Sequence, residues 1–314
     1  MFTRRLSTLG VSIALGALAL AAPVGAQTPP GLIHYMPTLH GLGINDAGHG
    51  SGKKGGSASS NLAYNGGSIE TAPTVYLVFW GSQWNYNDPS GEANLLEQMY
   101  SNVGSSSWNN TVTQYCQGAA SGATSCGANT AAVGNGPGML AGVWYDNATA
   151  APTKPTQSQL AAEAVNAAAH FLNTKGSADT TVQYVIATAT GNSSSGFGTR
   201  YCAWHSSVSS SYGTIAYTNL PYITDAGANC GAGFNNLGPT AGITIVAGHE
   251  FAETETDPFP STGWTDGSGS EIGDKCAWNG ATTNVAFAAG VTLPMQPLWS
   301  NADKGGTGGC VMSY

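Results

Sequence analysis

Residues 74–80 read TVYLVFW, seven consecutive β-branched, aliphatic or aromatic residues that end at Gly81. A strand with apolar side chains on both faces must be covered on both faces. This is the environment of a central strand in a sheet that has helices on either side. The run therefore predicts a buried central strand and a layered fold around it.

Further strands and helices are predicted to alternate along the chain. Thr156 and Gln159 form a capping-box pattern before an Ala-rich helix that should end at Lys175-Gly176. The other elements are a helix at 90–102 capped by Ser90 and strands at 139–145, 181–190 and 212–223. We expect an α/β (or α+β) fold: a single large domain with a mixed, partly parallel sheet flanked by helices, loop-rich and stapled by disulfides.

The N-terminus has the pattern of an export signal. Arg4 and Arg5 precede an apolar run at 11–22, and the small residues Val24-Gly25-Ala26 offer a cleavage site. The run is short for a membrane span, and no later stretch approaches its length. We therefore expect residues 1–26 to be a signal peptide and the mature protein to be secreted, with no membrane span.

Residues 27–70 lack a regular apolar period and contain the Gly- and Ser-rich stretch GHGSGKKGGSASS. We expect a flexible lead-in or pro-segment here, followed by one domain over 71–314. Its histidines, His34, His40 and His49, are predicted to be solvated rather than bound to metal.

Charge excludes some partners. Removing residues 1–26 leaves seven basic and seventeen acidic residues, a net charge of −10. Nucleic acids and anionic membranes are poor partners for such a surface. An extracellular protein or peptide substrate, or a cell-wall component, remains compatible with it.

All six cysteines follow the predicted signal peptide, and an even number in an oxidising compartment favours three disulfides. The sequence alone does not choose among the possible connectivities, and we favour the pairing that closes the shortest loops. A cysteine-rich zinc site is disfavoured, because the spacings are wide and no C-x-x-C is present. The expected pairs are Cys116–Cys126, Cys202–Cys230 and Cys276–Cys310.

The stretch AGHEFAETETDPFP, residues 247–260, has the chemistry of a metal site. A helix from 241 to about 256 places His249 and Glu253 one turn apart on one face. Glu250 then occupies the position of the general base in H-E-x-x-H zinc enzymes. The alternative is an ordinary polar surface helix, which would not explain why acidic residues crowd here without lysine or arginine.

A second acidic segment, GWTDGSGSEIGDKCAW, follows at 263–278 and supplies Asp274 as the third ligand of a predicted zinc ion. Glu271 could replace Asp274, and His205 could add a second imidazole, although a hydrogen-bonded loop histidine explains His205 equally well. Asp266 could belong to a Ca²⁺ loop, although its spacing fails the EF-hand pattern. Trp264 and Trp278 are expected in the core, and Asp257-Pro258 should terminate the helix.

HEFAETETDPFPSTGW followed by EIGDKCAW resembles the phosphate-induced protein 1, or EXORDIUM-like, family. TVYLVFWGSQW, YCAWH with GTIAYTNLPY, and PLWSNADKGGTGGC extend the likeness over roughly residues 70–314. The resemblance implies a secreted protein associated with growth and the cell wall, without a settled biochemical activity. Many plant members depart from the His-Glu-x-x-Glu pattern that this chain keeps.

Two functions follow as expectations. The first is a secreted zinc peptidase with Glu250 as general base. The second is a non-catalytic, wall-associated binding protein with a structural metal. A glycosidase is disfavoured, because Glu250, Glu253 and Asp257 share one short helix and cannot flank a sugar from opposite sides.

Overall fold

The computed structural model describes residues 31–42, 61–172 and 182–314. The predicted signal peptide and the predicted helix end at Lys175-Gly176 lie outside these residues. Within them, no helix combines the length and the apolarity needed to cross a bilayer.

The longer helices and strands lie before residue 257, and short strands follow after residue 260. The strands are β1 His34–Pro37, β2 Ala63–Tyr64, β3 Thr74–Trp80, β4 Cys116–Gln117, β5 Ala131–Ala132, β6 Leu140–Asp146, β7 Val182–Thr188, β8 Tyr201–Ser210, β9 Gly213–Leu220, β10 Trp264–Thr265, β11 Thr283–Ala286, β12 Thr292–Met295, β13 Leu298–Ser300 and β14 Gly309–Val311. The helices are α1 Glu92–Asn102, α2 Gln157–Leu172, α3 Ala241–Thr256 and the single turn α4 Asp303–Gly306.

Six strands form one mixed sheet in the order β1-β8-β9-β7-β3-β6. Strand β3 lies in its interior and pairs in parallel with β6 and β7, and β7 pairs in parallel with β9. Strand β8 is antiparallel to both β9 and β1. The predicted α/β fold with a partly parallel sheet is confirmed.

Helices cover both faces of this sheet. Alternate residues of β3 enter different clusters of apolar side chains: Leu77 and Phe79 pack with α1 and α3, whereas Val78 and Trp80 pack with α2. The buried run at 74–80 is thus apolar throughout because helices lie on both sides of it.

Helix α3 is buried along its whole length, with no residue exposed to solvent. It contacts β8, α1 and β12, so protein surrounds it on all sides. A helix in this position cannot have a polar solvent face, and any ionisable group on it must find compensation inside the protein.

The structure confirms one predicted helix cap and corrects another. At α2 the Thr156 N–H donates to Gln159 Oε1 at 2.9 Å and the Gln159 N–H donates to Thr156 Oγ1 at 3.3 Å. At α1 the cap is not Ser90. Asp88 accepts the first N–H groups of the helix instead, because Gly91, with φ 64°, turns the chain back towards that carboxylate.

The predicted lead-in differs from the structure in two places. Residues His34–Pro37 form an edge strand on β8, and Ala63–Tyr64 pair with β10. Pairing with strands more than a hundred residues away orders these short segments, which have no periodic pattern of their own.

All six cysteines are paired as predicted, in the disulfides Cys116–Cys126, Cys202–Cys230 and Cys276–Cys310. A cysteine zinc site is therefore excluded. The third bridge ties the turn Asp274–Cys276 to β14.

Candidate metal centre

Helix α3 contributes three ionisable side chains to one place. His249, Glu250 and Glu253 are each fully buried. The one-turn spacing brings His249 Nε2 to 3.0 Å from Glu253 Oε1. The alternative of a polar surface helix is excluded by this burial.

The turn after residue 270 brings the predicted third ligand to the helix. The Asp274 N–H donates to Glu253 Oε1 at 3.0 Å, and Asp274 Oδ1 lies 3.6 Å from His249 Nε2. The Glu271 N–H donates to Asp274 Oδ2, which fixes the carboxylate from its other side. The three predicted ligands are therefore together.

His205 also reaches this place, from strand β8 rather than from the loop that the sequence suggested. Its Nδ1 lies 3.2 Å from Glu250 Oε2 and 3.7 Å from Glu253 Oε2, and its Nε2 lies 3.5 Å from Glu271 Oε2. The polar, small residues that follow His205 hide the strand pattern in the sequence.

His34 was predicted to be solvated, and this prediction is wrong. In β1 it lies directly opposite His205 of β8, so both rings point to the α3 side of the sheet. His34 Nε2 is 2.5 Å from Asp274 Oδ2 and its Nδ1 is 3.2 Å from Glu271 Oε1. No local sequence signal identifies it, because only the strand pairing brings it here.

These seven residues are called the acid–imidazole cluster below: His34, His205, His249, Glu250, Glu253, Glu271 and Asp274. Only His34 and Asp274 keep some side-chain exposure, 18% and 14%. Access from solvent is thus on the side of these two residues.

Gln296, which the sequence did not single out, sets the orientation of His249. Its Nε2 donates to the Gly273 carbonyl at 2.8 Å, so its Oε1 is the atom that faces His249 Nδ1 at 3.2 Å. An amide oxygen only accepts hydrogen bonds, so Nδ1 carries the proton. In the neutral ring the lone pair of Nε2 then faces Glu253 and Asp274, as in metal-binding histidines whose other nitrogen donates to an oxygen.

Burial and mutual repulsion dominate the electrostatics of the cluster. Burial lowers the pKa of His249, but Glu253, Glu250 and Asp274 raise it overall to about 9. Burial opposes ionisation of Glu253, yet the neighbouring imidazoles, His249 first, lower the pKa of this carboxyl to about 2. Burial and then the surrounding carboxylates raise the pKa of Glu271 well above its ordinary value.

Among the described residues, imidazoles are the basic groups that face the carboxylates of the cluster. In the part of the chain that the structure describes, no lysine or arginine forms an ion pair with them; Lys275 pairs with Asp266 and Lys304 with Asp303. Several buried atoms also lack hydrogen-bond partners: His205 Nε2, Glu253 Oε2, Glu271 Oε1 and Glu271 Oε2. Buried polar atoms without partners are costly, and a cation would satisfy them.

The cluster offers three overlapping sets of donor atoms that each lie within 4.8 Å of one another, and all three sets include Glu253. They are His249–Glu253–Asp274, His205–Glu250–Glu253 and His34–Glu253–Glu271. Tetrahedral zinc places its donors about 3.3 Å apart. The 3.0 and 3.6 Å separations around His249 Nε2 bracket this value. The buried His and Glu groups could therefore hold a metal ion.

Gly273 should be required for this geometry. A Cβ at this position would lie 2.7 Å from His249 Nδ1 and 3.0 Å from Glu253 Oε1, although the backbone itself, at φ −79°, accepts alanine. We expect Gly273→Ala to weaken zinc binding at least about tenfold, a loss of about 1.4 kcal/mol. Isothermal titration of the metal-stripped variant measures this change.

Gly267→Ala is the matched control, because a Cβ there meets no atom within 4 Å. It should bind zinc as the wild type does. Equal zinc affinity of Gly273→Ala and Gly267→Ala would contradict the close packing of this turn against the proposed ligands.

Other predicted positions have structural roles. Asp257 ends α3 and accepts the N–H groups of Ser261, Thr262 and Gly263. Trp264 and Trp278 are buried in the core, as expected.

Asp266 does not belong to the three donor sets found among the described residues. Its oxygens accept from Lys275 and from the N–H groups of Ser268 and Ser270, so they are already satisfied. These donors leave Asp266 little reason to bind Ca²⁺.

The fold and site together define a disulfide-crosslinked α/β protein with a buried acid–imidazole cluster able to take a metal ion. No protein-family model, no curated protein and no solved structure matches this chain.

Proposed function

We propose that the protein is an exported, metal-dependent hydrolase, and specifically a zinc peptidase. His249, Glu253 and Asp274 would hold the ion, and Glu250 would act as general base. The observation that carries this proposal is the convergence of Glu253 Oε1 and Asp274 Oδ1 on His249 Nε2, whose lone pair Gln296 directs towards them.

Zinc in such a site supplies Lewis acidity for activating a water molecule and polarising a carbonyl group. The remaining chemistry belongs to the protein. Glu250 follows His249 directly in α3 and is oriented at both oxygens, by the Met36 N–H at 3.3 Å and by His205 Nδ1 at 3.2 Å. It would accept the proton of the attacking water and pass it to the leaving amine.

His205 has a supporting role in this scheme. It lies closer to Glu250, at 3.2 Å, than to Glu253, at 3.7 Å, and we assign it as the partner of the base. Burial raises the pKa of Glu250, and the imidazoles of His205 and His249 oppose that rise. A raised pKa suits a group that must take up and release a proton.

Export and an extracellular peptide substrate are part of the same proposal. Three disulfides suit an oxidising compartment. The residues at the N-terminus that resemble a signal peptide support secretion as well. The partly exposed side of the cluster, at His34 and Asp274, is where a peptide carbonyl would enter.

One observation favours a second candidate function. Five of the seven side chains in the cluster have no exposed surface, which is typical of a structural ion. A non-catalytic, wall-associated binding protein would also agree with the EXORDIUM-like resemblance, which stays a prediction. Turnover separates the two candidates, since a structural ion supports folding without hydrolysis.

The ligand assignment is tested by elemental analysis of purified His249→Ala and wild-type protein. The variant loses the central imidazole, and we expect it to retain far less zinc than the wild type, because losing even a partner of a ligand typically costs about 10–100-fold in affinity. His170→Ala serves as control, because His170 stacks on Trp144 on the α2 side of the sheet. Equal metal content in wild type and His249→Ala would remove the basis of the proposal.

A further inference from the structure

We propose that a second divalent cation binds beside the first, held by His34, Glu271 and Glu253. This inference rests on the proposed function, because Glu253 would be shared by both ions. The second site would make the protein a two-metal hydrolase, in which the ions lie about 3.5–4 Å apart.

The two oxygens of Glu253 have different surroundings. Oε1 faces His249 Nε2 at 3.0 Å and accepts the Asp274 N–H at 3.0 Å, so it belongs to the first site. Oε2 is buried and has no hydrogen-bond partner. A carboxylate that belongs to both donor sets and keeps one oxygen without a hydrogen-bond partner is suited to bridge two cations.

The second observation is the burial of Glu271 without hydrogen-bond partners. The side chain is fully buried, and neither of its carboxylate oxygens has a hydrogen-bond partner. Its Oε1 lies 3.2 Å from His34 Nδ1. His34, Glu253 and Glu271 each offer one donor atom close enough to the others to face one ion.

The orientation of His34 supports a ligand role. Its Nε2 donates to Asp274 Oδ2 at 2.5 Å, so in the neutral ring Nδ1 carries the lone pair. That lone pair faces an oxygen of Glu271, and two acceptors 3.2 Å apart repel unless a proton or a cation lies between them. Asp274 would then bind the first ion through Oδ1. Its Oδ2 would orient the imidazole of His34, which is a ligand of the second ion.

The set His205–Glu250–Glu253 is a weaker candidate for the second ion. Glu250 accepts the Met36 N–H with Oε1 and pairs with His205 through Oε2, so its oxygens are already engaged. Those of Glu271 are not. One imidazole and two carboxylates form a donor set for Zn²⁺ or Mn²⁺ rather than for a soft metal.

The test is a zinc titration of the full, chelator-stripped chain, with the bound metal counted by elemental analysis. We expect two zinc ions per chain in the wild type. His34→Ala and Glu271→Gln should each bind one ion at the wild-type affinity of the first site, with the second weakened at least tenfold. His170→Ala, on the other face of the sheet, should still bind two.

The outcomes separate this inference from the proposed function. One ion in the wild type, lost in His249→Ala, overturns the second site and leaves the first. Two ions in both Glu271→Gln and His34→Ala also overturn it, because the second ion would then lie elsewhere. No bound zinc in the wild type overturns both proposals. Glu271→Gln keeps the shape of the side chain. It therefore tests the second site even if His34→Ala disturbs the edge strand β1.

Discussion

Glu250→Gln should lower peptide hydrolysis by about 10²–10⁴-fold while the metal content stays at the wild-type level. This is the range that a general base contributes. The amide keeps the shape of the side chain but cannot accept the proton of the attacking water. Glu250 is not among the proposed ligands of either ion, so metal binding has no reason to change. The measurement pairs turnover of a peptide library with elemental analysis of the same sample.

Glu255→Gln is the matched control for this variant. Glu255 lies on the same helix and is equally buried, and its Oε1 accepts from Asn109 Nδ2 at 3.1 Å, away from the cluster. It should leave turnover unchanged. Wild-type activity in Glu250→Gln would eliminate its role as base, whereas stoichiometric metal with no turnover in the wild type would favour the structural alternative.

Removal of metal should destabilise the protein strongly. Without a cation, the carboxylates of Glu253, Glu271 and Asp274, which lie close together, repel one another. A ligand present at a thousand times its dissociation constant adds about 4 kcal/mol to the free energy of unfolding. For a domain of this size 1 kcal/mol corresponds to roughly 2–4 °C. We therefore expect a chelator to lower the melting temperature by about 10 °C, measured by calorimetry, and added zinc to restore it.

His249→Ala provides the control for chelation. Its first site is already lost, so the chelator should change its melting temperature far less than that of the wild type. An unchanged melting temperature in wild-type protein that elemental analysis shows to be metal-free would contradict a cation in the core.

The parts of the fold that could be predicted are those that a short stretch of sequence specifies by itself. Strand β3 was predicted from its unbroken apolar run, and the end of helix α3 from the break at Asp257-Pro258. The i, i+4 spacing of His249 and Glu253 is a property of any helix, and Asp274 followed from the acidic segment beside Cys276.

The missed parts depend on contacts between distant segments. Strand β1 has four residues and gains its order from β8, more than 160 residues later, so His34 gave no local signal. Gln296 acts on His249 from 47 residues away, and a single glutamine in a loop carries no periodic pattern. Sequence spacing could thus define one face of the cluster, but not the face built by strand pairing.

The complete enclosure of α3 has a consequence for how such a protein diverges. The candidate site residues on α3 are also buried packing residues. Replacing them one at a time would therefore leave an uncompensated charge in the interior. Replacing a whole buried ionic set with apolar residues of similar volume, by contrast, is often neutral or stabilising. Relatives that lack the proposed hydrolysis should therefore have exchanged these side chains together, and a surviving partial set would indicate that the proposed ion is still needed.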